Sequence, residues 1–180
     1  LKHSSNVPRC ARAIEDIFHQ AGFPENVFRS MMIGARQVEE VIENDVIRAL
    51  SLTGSDAAGR KVASKAGNML KKVVLELGGS DPFIVFADAD MDESAETAAR
   101  SRCINSGQSC IAAKRFIITA DIYDRWLEKF QQAMAAQVVG DPLEEQTQIG
   151  PQAREDLMQQ LHGQVETSVG KGAKLLLGGQ

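Results

Sequence analysis

The run Val46 to Leu52 is the most constraining feature of this chain. Its apolar positions are dense enough for a strand inside a parallel sheet, covered on both faces. It delivers Thr53-Gly54-Ser55-Asp56-Ala57-Ala58-Gly59, which opens a helix expected to run to about Leu70, and Val73 to Leu77 is the next expected strand. Strand, helix, strand and helix in alternation are the signature of a wound α/β sheet.

The flanking sequence continues that rhythm. Leu1 to Asn6 reads as a strand end and a polar turn. Val7, Ala11, Ile14, Phe18 and Ala21 then recur at helical spacing until Gly22 and Pro24. A short apolar strand is expected over Val27-Phe28 and Met31-Met32-Ile33, and a helix from about Gln37 to Glu43. After Gly78-Gly79 the pattern restarts with a strand over Phe83 to Phe86 and a helix capped by Asp92 and running to about Ile104. A strand over Arg115 to Thr119 follows. Asp121 is expected to cap an amphipathic helix bearing Ile122, Trp126, Phe130, Ala133 and Met134 on one face. A last helix carries Leu157, Leu161 and Val165, and Lys174 to Leu177 reads as a strand. A domain boundary is expected near Gly78 to Asp81.

Composition narrows the partners. At 180 residues with 43% hydrophobic and 24% charged residues, the chain is an ordinary globular sequence with one full core or two small ones. A net charge of -4 offers no basic field for nucleic acid, and no apolar run approaches a membrane span. Cys10, Cys103 and Cys110 are too few and too scattered for a disulfide framework or a zinc site, so no metal is expected and a reducing cytoplasm is the expected setting. The chain begins at Leu1 and stops at Gly178-Gly179-Gln180 in mid-pattern, which reads as a central fragment of a longer protein.

Two short segments carry chemistry. Cys110 ends Asn105-Ser106-Gly107-Gln108-Ser109-Cys110, a polar, glycine-containing loop that can present a thiol. Glu76 ends the apolar run Val73-Val74-Leu75, directly before Leu77-Gly78-Gly79. A nucleophile on one loop and a carboxylate base on another are the minimal kit for covalent catalysis. Each alone has an ordinary reading, a small buried hydrophobe for the cysteine and a solvated acid for the glutamate. Gly54-Ser55 and Gly59, after a strand and opening a helix, can hold an anion on unpaired N–H groups, or can form a plain strand-to-helix turn with Ser55 near the cap. They do not make the usual dinucleotide fingerprint. No histidine pairs with Cys110. The Trp126 and Phe130 stripe reads as core, and Cys103 as structural.

Taken together, these residues resemble the NAD(P)-dependent aldehyde dehydrogenase superfamily. Glu76-Leu77-Gly78-Gly79 is similar to its glutamate signature and Asn105 to Cys110 to its cysteine signature, and their separation of 34 residues matches that family. Leu52-Thr53-Gly54-Ser55 with Gly59 resembles its pyrophosphate turn, where Phe is commoner than Leu52. Lys2 resembles its adenosine-ribose lysine. The wording of Gly78 to Val85 and of Ala113 to Ile117 resembles the succinate-semialdehyde dehydrogenase-like branch.

The resemblance implies an α/β chain with residues 1–79 as the C-terminal part of an NAD(P)-binding domain and 80–180 as the N-terminal part of a catalytic domain. It implies oxidation of an aldehyde, succinate semialdehyde among the candidates, to the acid with NAD or NADP. Cys110 would be the nucleophile and Glu76 the base. Lys2, Ser5, Gly54, Ser55, Gly59, Leu77 and Gly78 would face the cofactor. Ser5 stands where NAD-preferring relatives usually place a Glu, so acceptance of NADP is expected. A homodimer or homotetramer is expected as well.

Three departures accompany the likeness. Ile104 stands where that branch often has an arginine for the substrate carboxylate, with Arg100 and Arg102 nearby. Ala112 replaces a second cysteine. The segments that supply the oxyanion asparagine and the nicotinamide-ribose glutamate lie outside this chain. The alternative reading is a non-catalytic or nucleotide-binding module with no turnover by itself.

Overall fold

The computed structural model describes residues 1–179. Two compact units divide the chain, Leu1–Gly78 and Gly79–Gln180.

The first unit contains α1 (Pro8–Gln20), a 3-10 turn at Ala35–Gln37, α2 (Val38–Glu43), β1 (Ala49–Thr53), α3 (Asp56–Asn68) and β2 (Lys72–Glu76). Pro8 opens α1 at a position that needs no N–H donor, and Gly22 follows the helix at φ 80°. β1 and β2 pair in parallel, from Ala49 opposite Lys72 to Thr53 opposite Glu76, with α3 as the crossover. Ala11, Ile42 and Ala66 are fully buried, and Phe18 stacks on Phe28 with ring centres 4.8 Å apart.

Two expected strands of this unit are shorter than the apolar runs suggest. β1 starts at Ala49 because Asn44 holds the chain in a turn: its side-chain oxygen accepts the Val46 N–H and its carbonyl accepts the Ile47 N–H. The strand expected over 27–33 reduces to one parallel bridge between Lys2 and Met31. There the Ser30 N–H goes to the Glu15 carboxylate at 2.7 Å instead of to a neighbouring strand. That bond, with Arg29 at 3.0 Å, holds the Glu15 carboxyl below the usual carboxylate range.

The second unit contains β3 (Asp81–Val85), α4 (Met91–Cys103), a 3-10 turn at Ile104–Gly107, β4 (Ala113–Ile118), α5 (Tyr123–Ala135) and α6 (Glu155–Gly170). β3 and β4 are parallel, joined through α4. The core gathers Val85, Ala95, Ala98, Ile122 and Trp126, with Phe83, Phe116 and Phe130 packed against it. Three alanines of α4, Ala95, Ala98 and Ala99, let the helix approach closely, and the Trp126 indole N–H donates to the Ser94 hydroxyl at 2.9 Å. The Trp126 and Phe130 stripe is core here, with ring centres 5.0 Å apart.

Both expected caps move. Asp90, not Asp92, caps α4, accepting the N–H groups of Asp92 and Glu93 at 3.0 Å each. Asp92 lies in the first turn, where its charge meets the helix dipole. Ile122, not Asp121, is the first residue before α5, and no side chain caps that end. The expected strand over 174–177 makes no ladder among the described residues; the segment lies between Gly172 at φ 98° and Gly178 at φ 70°, with a bend at Leu177. No helix among the described residues is long and apolar enough to cross a membrane.

Candidate active site

In the first unit, parallel pairing sets the geometry. Because Thr53 lies opposite Glu76, the turn after β1 and the residues after β2 emerge at the same edge of the sheet. The Gly54 N–H donates to the Glu76 carbonyl at 3.0 Å, joining the two turns directly. Glu76, Gly54, Ser55 and Gly78 are all exposed at that edge, where wound sheets commonly bind ligands.

The polar groups of the first turn are already engaged. Ser55 is the N-cap of α3, and its hydroxyl accepts the Ala58 N–H at 3.3 Å. Asp56, which sequence reasoning passed over, reaches from the first turn of α3 to accept the Gly78 N–H at 3.2 Å. Gly59 is buried, and a Cβ there would lie 2.6 Å from a methyl of Leu77. Its lack of a side chain therefore lets α3 settle on the end of β2. At Gly54, by contrast, a Cβ would meet only Leu52, at 3.7 Å, so the outer face of that turn is open to a ligand. That open glycine beside the N-terminus of α3 leaves room for an anionic group such as a pyrophosphate to approach the backbone.

Lys2 and Ser5 are exposed. The Lys2 ammonium donates to the carbonyl of its neighbour His3 at 2.8 Å, and Lys2 is paired with Met31 rather than with β1 or β2.

In the second unit, Cys110 is exposed on the loop between α4 and β4. Three consecutive left-handed residues precede it: Asn105 (φ 50°), Ser106 (φ 55°) and Gly107 (φ 77°). Such backbone costs about 1–2 kcal/mol at each non-glycine residue and persists only where the surroundings impose it. Here they do. Ser106 accepts the Gly150 N–H on its hydroxyl at 3.1 Å and the Gln152 amide on its carbonyl at 3.2 Å, while Gln108 accepts the Ala153 N–H at 3.0 Å. The segment Gly150 to Ala153, more than forty residues downstream, thus clamps the loop.

Basic side chains brace it from the other side. Arg102 donates to the Gly107 and Ala113 carbonyls, both at 2.6 Å. Lys114 donates to the carbonyls of Ser109, Cys110 and Ala112 at 3.2, 3.1 and 3.0 Å. Gly79 lies against the loop so closely that a Cβ there would sit 2.7 Å from the Cys110 carbonyl oxygen. Neither brace was visible in the sequence pattern, because a lysine or arginine at a strand or helix end usually reads as solvated. Arg102, one of the two arginines near Ile104, is committed to the backbone. Arg100 instead lines open recesses of about 350 and 630 Å³ along α4, neither lined by Cys110.

The other thiols differ from Cys110. Cys10 is exposed on α1. Cys103 is half-buried against the Met134 sulfur at 3.9 Å, and burial pushes its thiol up from the ordinary range. A thiol that ionises late is a weak nucleophile. No group of metal-ligating side chains occurs among the described residues.

Comparison with known proteins gives a consistent picture. The profile of the aldehyde dehydrogenase family matches residues 1–180. The chain is 48% identical to a succinate-semialdehyde dehydrogenase, NADP(+), of Mycobacterium leprae and 47% identical to its counterpart in Mycobacterium ulcerans, each over the whole chain. It covers 39% of both relatives, so it spans about two fifths of their length. It also superposes on the crystal structure of succinic semialdehyde dehydrogenase from Streptococcus pyogenes in complex with NADP+. The TM-score there is 0.96 at 35% identity, covering 100% of this chain and 40% of that one. Lactaldehyde dehydrogenase from Escherichia coli is similar too, with TM-score 0.95 at 34% identity over 99% of this chain and 38% of that one.

Proposed function

The chain belongs to the aldehyde dehydrogenase family, and from that premise we propose that the protein carrying it oxidises an aldehyde to a carboxylic acid with NADP or NAD. The observation that carries this reading is Cys110 itself: an exposed thiol three residues after a left-handed turn, on a loop that three separate parts of its unit hold in place. Loops held this firmly around a nucleophile lose little entropy at the moment of reaction.

In this reading the Cys110 thiolate attacks the aldehyde carbon, and the Cys110 backbone N–H is one donor to the resulting oxyanion. The bound dinucleotide supplies the hydride acceptor. The acyl group then remains on the Cys110 sulfur as a thioester, and Glu76 takes a proton from the water that hydrolyses it. Gly54, Ser55 and Gly59 would form the pyrophosphate turn. Gly54 and the α3 N-terminus would do the contacting, and Gly59 would set the helix height that allows it. Leu77 and Gly78 would flank the cofactor. Lys2 and Ser5 would meet the adenosine ribose, and the uncharged Ser5 supports acceptance of NADP alongside NAD.

Residues 1–79 would thus belong to the NAD(P)-binding domain and 80–180 to the catalytic domain. Succinate semialdehyde is the aldehyde proposed first, supported by the names of the mycobacterial relatives. Since lactaldehyde dehydrogenase shares the same backbone at 34% identity, side chains and not the fold select the aldehyde. A homodimer or homotetramer in the cytoplasm completes the reading.

A second reading concerns these 180 residues taken alone. Ile84, Ile117 and Phe86 around the β3–β4 sheet are 55%, 49% and 64% exposed. A sheet uncovered in this way favours self-association. Spanning only about two fifths of their relatives' length, the 180 residues by themselves are expected to show no steady turnover. Appearance of reduced nicotinamide with succinate semialdehyde, lactaldehyde and short aliphatic aldehydes, each with NADP and NAD, tests both readings. A Cys110-dependent rate in the intact protein supports the first. Turnover in the ordinary enzyme range, about 1–10³ s⁻¹, by the 180 residues alone would refute the second.

A further inference from the structure

We propose that Lys114 is a positioning residue for this reaction, fixing the direction of the Cys110 backbone N–H from a bulge in β4. The inference rests on the reading of Cys110 as the nucleophile.

The bulge comes first. Asp81 lies opposite Ala113, but the next pair is Pro82 opposite Arg115, so Lys114 is the extra residue with no partner across the ladder. Pro82 has no N–H to give, which makes the start of this pair a natural place for an irregularity. A bulge turns its side chain out of the strand's alternation, and such devices recur beside active sites. Here it turns Lys114, half-buried next to the buried Ala112 and Ala113, back over the loop that precedes the strand.

An ammonium has three donors, and Lys114 directs them at three carbonyls, those of Ser109, Cys110 and Ala112. The first matters most. The Ser109 carbonyl and the Cys110 N–H belong to one planar trans peptide and point in opposite directions. Holding the Ser109 oxygen on Lys114 therefore aims the Cys110 N–H away from Lys114. The Ala112 N–H also holds that oxygen, at 3.2 Å. Holding the Cys110 oxygen does the same for the next peptide plane, on the side where Gly79 leaves no room for a Cβ. Among the described residues the Cys110 N–H has no hydrogen-bond partner, so its donor is left for an oxyanion.

The test uses the intact protein with succinate semialdehyde and NADP, comparing Lys114→Met, Lys114→Gln, Cys110→Ser and Lys71→Met. Lys71 is a matched control, since its ammonium likewise holds two carbonyls, of Ile42 and Asn44. Losing an oxyanion donor outright costs about 10²–10³ in rate, so misdirecting one is expected to lower kcat about 10–10²-fold in Lys114→Met. KM should stay within about twofold, and Lys114→Gln, with two donors, should fall in between. Lys71→Met should lower the melting temperature and leave kcat unchanged.

Wild-type kcat in Lys114→Met, a loss carried by KM, or an equal loss of kcat in Lys71→Met would overturn the proposal. If Lys114→Met does not fold, the same kcat and KM split in Lys114→Gln decides. Cys110→Ser separates the two levels of inference. If it still turns over normally, the nucleophile reading falls and takes this one with it. If it is inactive while Lys114→Met runs at the wild-type rate, only the role of Lys114 falls.

Discussion

The turn after β1 and the loop before β4 are both glycine-containing connections between parallel strands and a helix, yet they are held in opposite ways. The Gly54-Ser55 turn is secured from the helix it opens: Ser55 caps that helix, and Asp56 in its first turn reaches one strand away to Gly78. The Cys110 loop is secured from both of its sequence flanks, by Arg102 and Lys114, and from a distance by Gly150 to Ala153. A locally capped turn leaves its outer face free for a ligand that comes and goes. A loop braced on three sides keeps left-handed backbone and fixes the main chain that carries one exposed thiol.

If that contrast is right, damage to the loop should appear in kcat and damage to the turn in cofactor KM and stability. Cys110→Ala is the largest test. It should lower turnover by about 10⁴-fold or more, as loss of a nucleophile does, with the melting temperature almost unchanged because the side chain is exposed. Next comes Gly79→Ala, which drives a methyl into the Cys110 carbonyl. The obstacle is backbone, so the loop must shift, and displacement of the nucleophile should cost about 10² in kcat.

Gly59→Ala meets the flexible end of Leu77 instead. Overpacking of about 1–3 kcal/mol, offset by up to about 1 kcal/mol of helix propensity, should lower stability modestly and raise cofactor KM with little change in kcat. A large loss of kcat there would erase the contrast. Ser55→Ala is the smallest, about 1 kcal/mol of stability from the lost cap, read from denaturant midpoints. An NADP KM that rises much beyond what Gly59→Ala produces would show that the hydroxyl serves the ligand more than the helix.

The same contrast explains what the sequence made legible. The expected strand–helix–strand order recurs in both parallel pairs, because dense apolar runs and glycine turns are local signals. The Ser55 cap was readable for the same reason. Strand ends were less so: Asn44 took the N–H groups of Val46 and Ile47, and Ser30 gave its own to Glu15, neither of which hydrophobic pattern reports. At the candidate site, Cys110 and Glu76 stood out through their segments. Lys114 and Arg102 did not, since what they do depends on a bulge and on carbonyls brought together only by the fold.

The thioester on Cys110 is the most direct thing to look for. Glu76→Gln in the intact protein removes the proposed base while leaving the exposed thiol in place, so the acyl-enzyme should accumulate. Mixing that variant with succinate semialdehyde and NADP, quenching in acid and mapping peptides by mass spectrometry should place a succinyl adduct on Cys110 alone. Cys10 and the half-buried Cys103 should carry none. An adduct on either of those thiols, or none at all while the variant still oxidises aldehyde, would contradict the assignment of Cys110 as nucleophile.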